Sequence, residues 1–219
     1  VIAEAAQTIA PRLVLITDEI YEKIIYEGRE HLSMGSIDAI AERTVTINGL
    51  SKAYAMTGWR VGYAACPGEF GLELIAAMDR LQGQVTSGIP TFIMPAVEVA
   101  LTQCSGDVAQ MVAAFASRAK LTESRLSEIP GVNFPSPEGA FYIFPDVSSH
   151  FGKTAPDGTK ITSAMTFADA LLTNQKVAVV PGEDFGGCGE KHIRISFACS
   201  EDQINAGMDR LAEFVGSLG

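Results

Sequence analysis

Gly49-Leu50-Ser51-Lys52-Ala53-Tyr54-Ala55-Met56-Thr57-Gly58-Trp59-Arg60-Val61-Gly62 is the stretch that decides how the chain is interpreted. It places Lys52 and Arg60 eight positions apart, between two apolar runs of strand length. Fully extended, eight residues span roughly 26 Å, which exceeds the length of a small phosphorylated ligand. If both residues contact one such ligand, the chain must double back, and we expect Gly58 to permit that turn.

Lys52 and Arg60 have the side chains that a phosphorylated carbonyl ligand requires. A lysine at the end of a strand, in apolar surroundings, can lose its proton and attack a carbonyl as a neutral amine. An arginine presents a planar fork of N–H groups that suits phosphate oxygens. The pair therefore suggests a Schiff-base lysine with a phosphate clamp. Without their neighbours, the same two residues would be interpreted as surface cations.

A second group of polar residues follows an apolar strand. Residues 12–17 (RLVLIT) form a continuous apolar run, which is typical of a strand covered on both faces in a parallel sheet. The run ends at Asp18, and Tyr21 follows three positions later. Ligands of α/β proteins gather at the carboxyl ends of strands, so both residues are candidates for one site. The alternative role for Asp18 is to cap a turn or helix.

Composition limits the classes of function. The chain has 219 residues, 47% of them hydrophobic, which is enough for one large domain or two small ones. Its formal net charge is -10, which argues against nucleic acids and anionic membranes as partners. No apolar stretch reaches the length of a membrane span. The first residues lack an initiator methionine and a signal-peptide pattern, so we expect a piece of a longer chain.

Cysteine, histidine and glycine spacing argues against a metal site and a nucleotide cradle. The cysteines are scattered without a C-x-x-C pair, so we expect buried free thiols in a reducing cytosol. His31 is interpreted as a surface residue, and no H-E-x-x-H spacing is present, so no metal is expected. The glycine-rich residues 182–189 do not follow G-x-G-x-x-G, and we interpret them as a flexible strand connection.

The hydrophobic pattern predicts an α/β fold. The start of the chain is predicted to be helical, ending at Pro11. Strands are predicted over residues 12–17, 44–48, 60–65, 132–134, 140–144, 177–180 and 193–198. Further helices are predicted over residues 37–43, 67–81, 91–103, 107–128, 163–174 and 201–218, with Asp107 and Ser200 as N-caps.

Three motifs resemble those of one enzyme family. Residues 49–62 fill every position of the pyridoxal-phosphate attachment signature of class I and II aminotransferases. Residues 18–22 (DEIYE) resemble a second motif of that family, and residues 193–197, following the VVPGEDFG of residues 179–186, resemble a third. The whole chain resembles the C-terminal portion of a fold-type-I enzyme of the aspartate aminotransferase family. The stretches AMTGWR, LQGQ and GAFY resemble its aspartate/prephenate branch.

The resemblance implies a role for each candidate residue. Lys52 is expected to hold pyridoxal 5'-phosphate as a Schiff base and to act as the catalytic base and acid. Asp18 is expected to pair with the pyridinium nitrogen, Tyr21 to bind the phenolic oxygen and Arg60 to bind the phosphate. Arg194 is expected to grip the substrate α-carboxylate with its fork, although an isolated arginine on a strand is generally an exposed-face residue.

The resemblance also implies an organisation and an activity. Residues 1–106 correspond to the C-terminal part of the large cofactor-binding domain, with a mostly parallel sheet. Residues 107–219 correspond to a long connecting helix and a small α+β domain. The implied enzyme is a cytoplasmic, homodimeric aminotransferase that acts on small amino acids and 2-oxo acids, of the aspartate/glutamate class. Many relatives have a hydroxyl residue where this chain has Gly49, which removes one phosphate contact.

Two alternatives to amino-group transfer stay open. The same scaffold carries out β-elimination and cyclopropane-carboxylate synthesis, because the cofactor supplies the difficult chemistry. The chain could also be a non-catalytic, cofactor-binding module or an inactive fragment. Relatives that regulate transcription add a DNA-binding segment, for which this acidic chain shows no pattern.

Overall fold

The computed structural model describes residues 2–8 and 12–219 and divides them into two compact units, Val1–Val112 and Ala113–Gly219. The first helix, α1, covers Ile2–Thr8. Its predicted end at Pro11 lies outside the described residues. The boundary between the units falls inside the long helix α4, Ser105–Ser127.

The first unit is built on a three-stranded sheet with the order β1-β2-β3. These strands are Leu15–Asp18, Thr44–Gly49 and Gly62–Ala65. The predicted parallel arrangement is found for β1 and β2, with Asp18 opposite Ile47. By contrast, β3 runs antiparallel to β2. A parallel neighbour requires a long crossover, whereas here the connecting loop leads directly from β2 back alongside it.

Strand β1 differs from its prediction in length and exposure. It begins at Leu15, three residues later than predicted, and lies at the edge of the sheet. Its apolar side chains are not covered on both faces, since Ile16 is 71% exposed. The apolar run therefore marks a strand correctly, but within the described residues one of its faces has no covering layer.

Helices complete the first unit. Helix α2 covers Gly68–Val85 and runs four residues beyond its predicted end. The predicted helix over residues 91–103 is a short 3-10 turn followed by α3, Met94–Gln103, with Pro95 in its first turn. Four buried apolar side chains form a small core at the loop between β2 and β3, those of Leu50, Val61, Ile93 and Ala100.

The second unit contains a small antiparallel sheet with the order β4-β6-β5. The strands are β4 at Tyr142–Ile143, β5 at Val180–Pro181 and β6 at Ile193–Ser196. Two helices pack on one another, α5 at Ala164–Gln175 and α6 at Glu201–Ser217. The predicted strand at residues 132–134 is reduced to a single bridge between Asn133 and Asp146.

Side-chain caps start helices α5 and α6 of the second unit. Ser163 accepts a hydrogen bond from Thr166 N at the start of α5, and Ser200 accepts one from Gln203 N at the start of α6, each within a capping box. The predicted cap at Ser200 is therefore confirmed. The predicted cap at Asp107 is wrong, because α4 begins at Ser105 and places Asp107 within its first turn.

The glycine-rich segment is more ordered than its composition predicts. It forms two short 3-10 helices, Gly182–Phe185 and Gly187–Gly189. A Cβ atom at Gly182 would lie 2.1 Å from the carbonyl oxygen of Gly189, and a Cβ at Gly189 would meet Gly182 O at the same distance. These glycines serve close backbone packing, so the interpretation as a flexible connection is wrong.

The cysteines are free, but they are not uniformly buried. Cys66 is buried, whereas Cys188 is exposed between two glycines, and the other two, Cys104 and Cys199, are partly buried. Burial raises the pKa of the Cys66 thiol. The prediction of buried thiols therefore holds for Cys66 and is wrong for Cys188.

Candidate active site

Asp18 lies at the carboxyl end of β1, beside the central strand. Its Oδ1 accepts a hydrogen bond from Ile20 N over 3.1 Å, which fixes the turn that follows the strand. Its Oδ2 accepts no hydrogen bond from the described residues of the first unit. The turn-capping role is therefore real, and it leaves one exposed carboxylate oxygen for a ligand.

Lys52 and Tyr21 lie close together at the same edge of the sheet. Lys52 follows the carboxyl end of β2, and its Nζ is 5.8 Å from the centroid of the Tyr21 ring. Both side chains are half-buried. Because β1 and β2 are parallel, their carboxyl ends meet at one edge, and the structure brings these two predicted site residues together there.

The loop that carries Lys52 doubles back, as it must if Lys52 and Arg60 are to contact one small ligand. Leu50 N donates to Val61 O and Met56 N donates to Leu50 O, each over 3.2 Å, so the two ends of the loop are joined. Ala55 and Arg60 adopt left-handed backbone conformations, with φ of 52° and 57°. These residues make the turn, and the prediction that Gly58 makes it is wrong.

Arg60 lies in a broad cleft of about 960 Å³ that is also lined by Trp59, Gln82 and Phe92. Its Nη1 donates to the carbonyl oxygen of Thr57 over 2.9 Å, which orients the guanidinium group. Within the described part of the first unit, no carboxylate pairs with Arg60. Its other N–H groups therefore face a cleft that is large enough for a phosphate group.

Glu19 is a site-adjacent residue that the sequence analysis missed. Only 4% of it is exposed, yet its carboxylate is well partnered. Oε1 accepts from Ser33 Oγ and Met34 N over 3.0 Å each, and Oε2 lies 3.0 Å from His31 Nε2. Burial raises the pKa of Glu19, but the hydrogen bonds from these three residues outweigh it and hold the pKa below its ordinary value.

The Glu19 contacts add a partner to His31. This histidine is exposed, as predicted for a surface residue, and its Nε2 lies 3.0 Å from the buried Glu19 carboxylate. Together, the contacts tie the segment around Ser33 to the turn that carries Asp18. Successive side chains of a strand face opposite sides, so Glu19 faces away from Asp18.

Arg194 belongs to the second unit, on β6 opposite Val180 of β5. It is half-buried, not fully exposed as an isolated strand arginine would be. Its Cζ lies 4.5 Å from the ring centroids of both Tyr142 and Phe185. Four predicted site residues thus belong to the first unit, where Lys52 and Tyr21 lie side by side, and the fifth, Arg194, belongs to the second.

Comparison with known proteins identifies the family. The model of the family "Aminotransferase class I and II" matches residues 2–211. The chain belongs to this family. It is 39% identical over 213 residues to an aspartate aminotransferase of Pinus pinaster, a match that covers 95% of this chain and 42% of the relative. It is also 39% identical to a probable aspartate/prephenate aminotransferase of Rhizobium leguminosarum bv. phaseoli, covering 94% of this chain and 50% of that one.

Solved structures of the family confirm the fold. The crystal structure of the aspartate aminotransferase from Rhizobium meliloti superposes with a TM-score of 0.88 at 37% identity, and it covers 95% of this chain and 51% of that protein. The α/β, fold-type-I prediction is therefore confirmed, and the chain aligns with the C-terminal part of these aminotransferases. The chain spans about half the length of the relatives it matches.

Two further findings concern membrane-spanning helices and metal sites. Among the described helices, none combines the length and the apolar character needed to cross a bilayer. Within residues 2–8 and 12–219, no group of three or more histidine, cysteine, aspartate or glutamate side chains is arranged to hold a metal ion.

Proposed function

We propose that this chain is the lysine-bearing part of a pyridoxal-phosphate-dependent aminotransferase, which moves an amino group between an amino acid of the aspartate/glutamate class and a 2-oxo acid. The observation that carries the proposal is the position of Lys52. Its amine lies beside the Tyr21 ring at the carboxyl edge of a parallel strand pair, in a chain that belongs to the aminotransferase family.

The donor groups of the first unit fit pyridoxal 5'-phosphate. Asp18 has an exposed oxygen suited to a protonated ring nitrogen, and the phenol of Tyr21 suits a ring hydroxyl. Lys52 supplies the amine for the aldehyde carbon. Arg60 supplies N–H donors for the phosphate, and its orientation by Thr57 favours a defined geometry.

Each residue has a chemical role in the proposed reaction. When bound, the pyridoxal ring supplies an electron sink for negative charge at the substrate Cα. Asp18 holds the proton on the ring nitrogen. Lys52 Nζ would act as general base and acid toward the proton on the substrate Cα. Arg194 binds the substrate carboxylate through its fork of N–H groups.

We infer that transfer activity requires polypeptide beyond these 219 residues, because the relatives are longer. The named activities of the relatives belong to chains of about twice this length. The first unit also exposes large apolar side chains, among them Phe92 at 83%, Leu72 at 72% and Ile16 at 71%. Such surface favours association with further protein. We extend the proposal to a cytoplasmic homodimer, in which residues 1–106 belong to the cofactor-binding domain and residues 107–219 to the connecting helix and small domain.

Borohydride trapping tests the assignment of Lys52. Pyridoxal phosphate is added to the protein, the adduct is reduced, and the labelled peptide is mapped by mass spectrometry. We expect the label on Lys52 and its loss in Lys52→Ala. A matched control is Lys23→Ala, because Lys23 is an exposed lysine of the same unit whose ion-pair partner among the described residues is its neighbour Glu22. A label that persists in Lys52→Ala contradicts the assignment.

Product analysis tests the type of reaction. Residues 1–219 alone, and the same chain supplied with the upstream half of a relative, are incubated with pyridoxal phosphate, aspartate and 2-oxoglutarate. We expect glutamate only when the upstream half is present. Release of ammonia would indicate elimination instead of transfer. Turnover by residues 1–219 alone, at the rate of a full-length relative, would show that the chain is self-sufficient.

A further inference from the structure

Arg194 lies at the centre of a row of aromatic side chains within the second unit. Tyr142 is directly opposite Ser196 across the β4–β6 pair, so Tyr142 and Arg194 share one face of the sheet as diagonal neighbours. Phe185, from the 3-10 helix after β5, supplies a second ring in contact with the guanidinium. Each ring centroid lies 4.5 Å from Arg194 Cζ.

The row of rings continues beyond Phe185. The Phe185 ring meets Phe144 edge-on at 5.8 Å and 84°, and Phe144 stacks on His192 at 4.8 Å and 8°. We name Tyr142, Arg194, Phe185, Phe144 and His192 the aromatic ladder. Tyr142 and Phe144 are two apart on the chain that leaves β4, and His192 and Arg194 are two apart on the chain that enters β6. Residues two apart along extended chain share a face. The ladder is therefore built into the sheet.

The guanidinium of Arg194 is held by ring faces and not by an acid. No carboxylate in the described part of the second unit pairs with it, and no oxygen there accepts a hydrogen bond from it. A guanidinium carries its five N–H donors in its own plane. Two rings packed against the guanidinium restrict tilting of that plane and leave N–H donors available to a ligand.

We propose that Tyr142 and Phe185 are positioning residues, which fix the plane of Arg194 so that it binds a planar carboxylate edge-on through two parallel hydrogen bonds. This inference rests on the proposed function in one respect, the carboxylate role of Arg194. It assigns the orientation of the substrate to residues outside the cofactor motif. Arginine–carboxylate pairs depend on planarity, so a guanidinium that is free to tilt binds less tightly and aligns the substrate less well.

Phe185 is a better position for a test substitution than Tyr142. It is 45% exposed, so a smaller side chain there leaves the core of the unit intact. In the chain labelled with ¹⁵N-arginine, the rate of rotation about the Arg194 Nε–Cζ bond is measured by NMR. We expect slow rotation in the wild type, faster rotation in Phe185→Leu, and recovery in Phe185→Tyr. The control is Phe151→Leu, a partly buried phenylalanine outside the ladder.

Titration with succinate, a dicarboxylate, then tests binding on the same samples. We expect the Arg194 Nε–H signal to shift in the wild type, with about tenfold weaker binding in Phe185→Leu and unchanged binding in the Phe151→Leu control. Equal rotation rates or equal affinities in wild type and Phe185→Leu overturn the positioning role. A wild-type Arg194 signal that does not respond to succinate instead overturns its carboxylate role, which belongs to the proposed function.

Discussion

Replacing Gly182 with alanine tests how tightly the segment that carries Phe185 is packed. A Cβ atom at residue 182 would lie 2.1 Å from the carbonyl oxygen of Gly189 and 2.5 Å from that of His192. Both are backbone atoms. Gly182 N also donates to His192 O over 2.8 Å, which joins the two ends of the segment between β5 and β6. Rotation of a side chain therefore cannot relieve the clash, and the backbone must move.

The size of the effect follows from this geometry. Overpacking a close-packed site costs typically about 1–3 kcal/mol of unfolding free energy. We expect about 3 kcal/mol, the upper end of that range, because two backbone carbonyls are displaced at once. With a urea m-value of about 2 kcal/mol/M, this loss lowers the unfolding midpoint by about 1.5 M.

Urea unfolding followed by far-ultraviolet circular dichroism measures this change. The matched control is Gly207→Ala, a glycine inside α6 whose added Cβ would meet no atom within 4 Å. Alanine in a helix interior is favoured over glycine by roughly 0.5–1 kcal/mol, so this variant should be more stable. The two Gly→Ala changes thus have opposite predicted signs. A Gly182→Ala protein that unfolds at the wild-type midpoint would refute the packing argument.

Three further changes test other parts of the molecule. Asp18→Asn should still bind cofactor but lose nearly all transfer activity in the complete enzyme, because an amide cannot hold the ring-nitrogen proton; near-normal turnover would leave Asp18 as a turn cap only. The native pKa of Glu19 is lowered, so its stabilisation is complete above its ordinary pKa of 4.5 and is lost as the pH falls through the lower native value. Glu19→Gln should therefore flatten the fall in melting temperature below pH 4.5, and parallel melting curves for variant and wild type would contradict this. Phe167→Ala should cost about 3–5 kcal/mol in a urea titration, because the ring is fully buried and packs edge-on against Phe214; a loss below 1 kcal/mol would show that the core closes around the cavity.

The sequence was sufficient to locate the Lys52 loop, but not to predict its path. Residue types at fixed spacing define the motif, and the strands on either side were predicted within two residues. The turn itself uses left-handed conformations at Ala55 and Arg60, which local propensity disfavours. Those conformations are set by contacts beyond the turn residues, such as burial of the Leu50 side chain and the hydrogen bond that Met56 N donates to the Leu50 carbonyl oxygen.

Contacts between distant residues account for most of what the sequence could not predict. Glu19 and His31 are twelve positions apart, and acidic residues are rarely buried, so nothing local indicated their pairing. Similarly, the aromatic neighbours of Arg194 come from β4 and from the loop after β5. Alternation along β6 predicted a strand at Arg194, but it contained no information about which rings cover the guanidinium.

The unequal burial of the four free thiols makes the chain selectively addressable by chemistry. Alkylating reagents attack exposed thiolates, so Cys188, exposed between two glycines, should react before Cys66, whose buried thiol has a raised pKa. A single equivalent of a maleimide dye would therefore report from a position three residues beyond Phe185. The protein thus carries a natural attachment point for a spectroscopic probe in the glycine-rich segment of its second unit, and no cysteine has to be introduced.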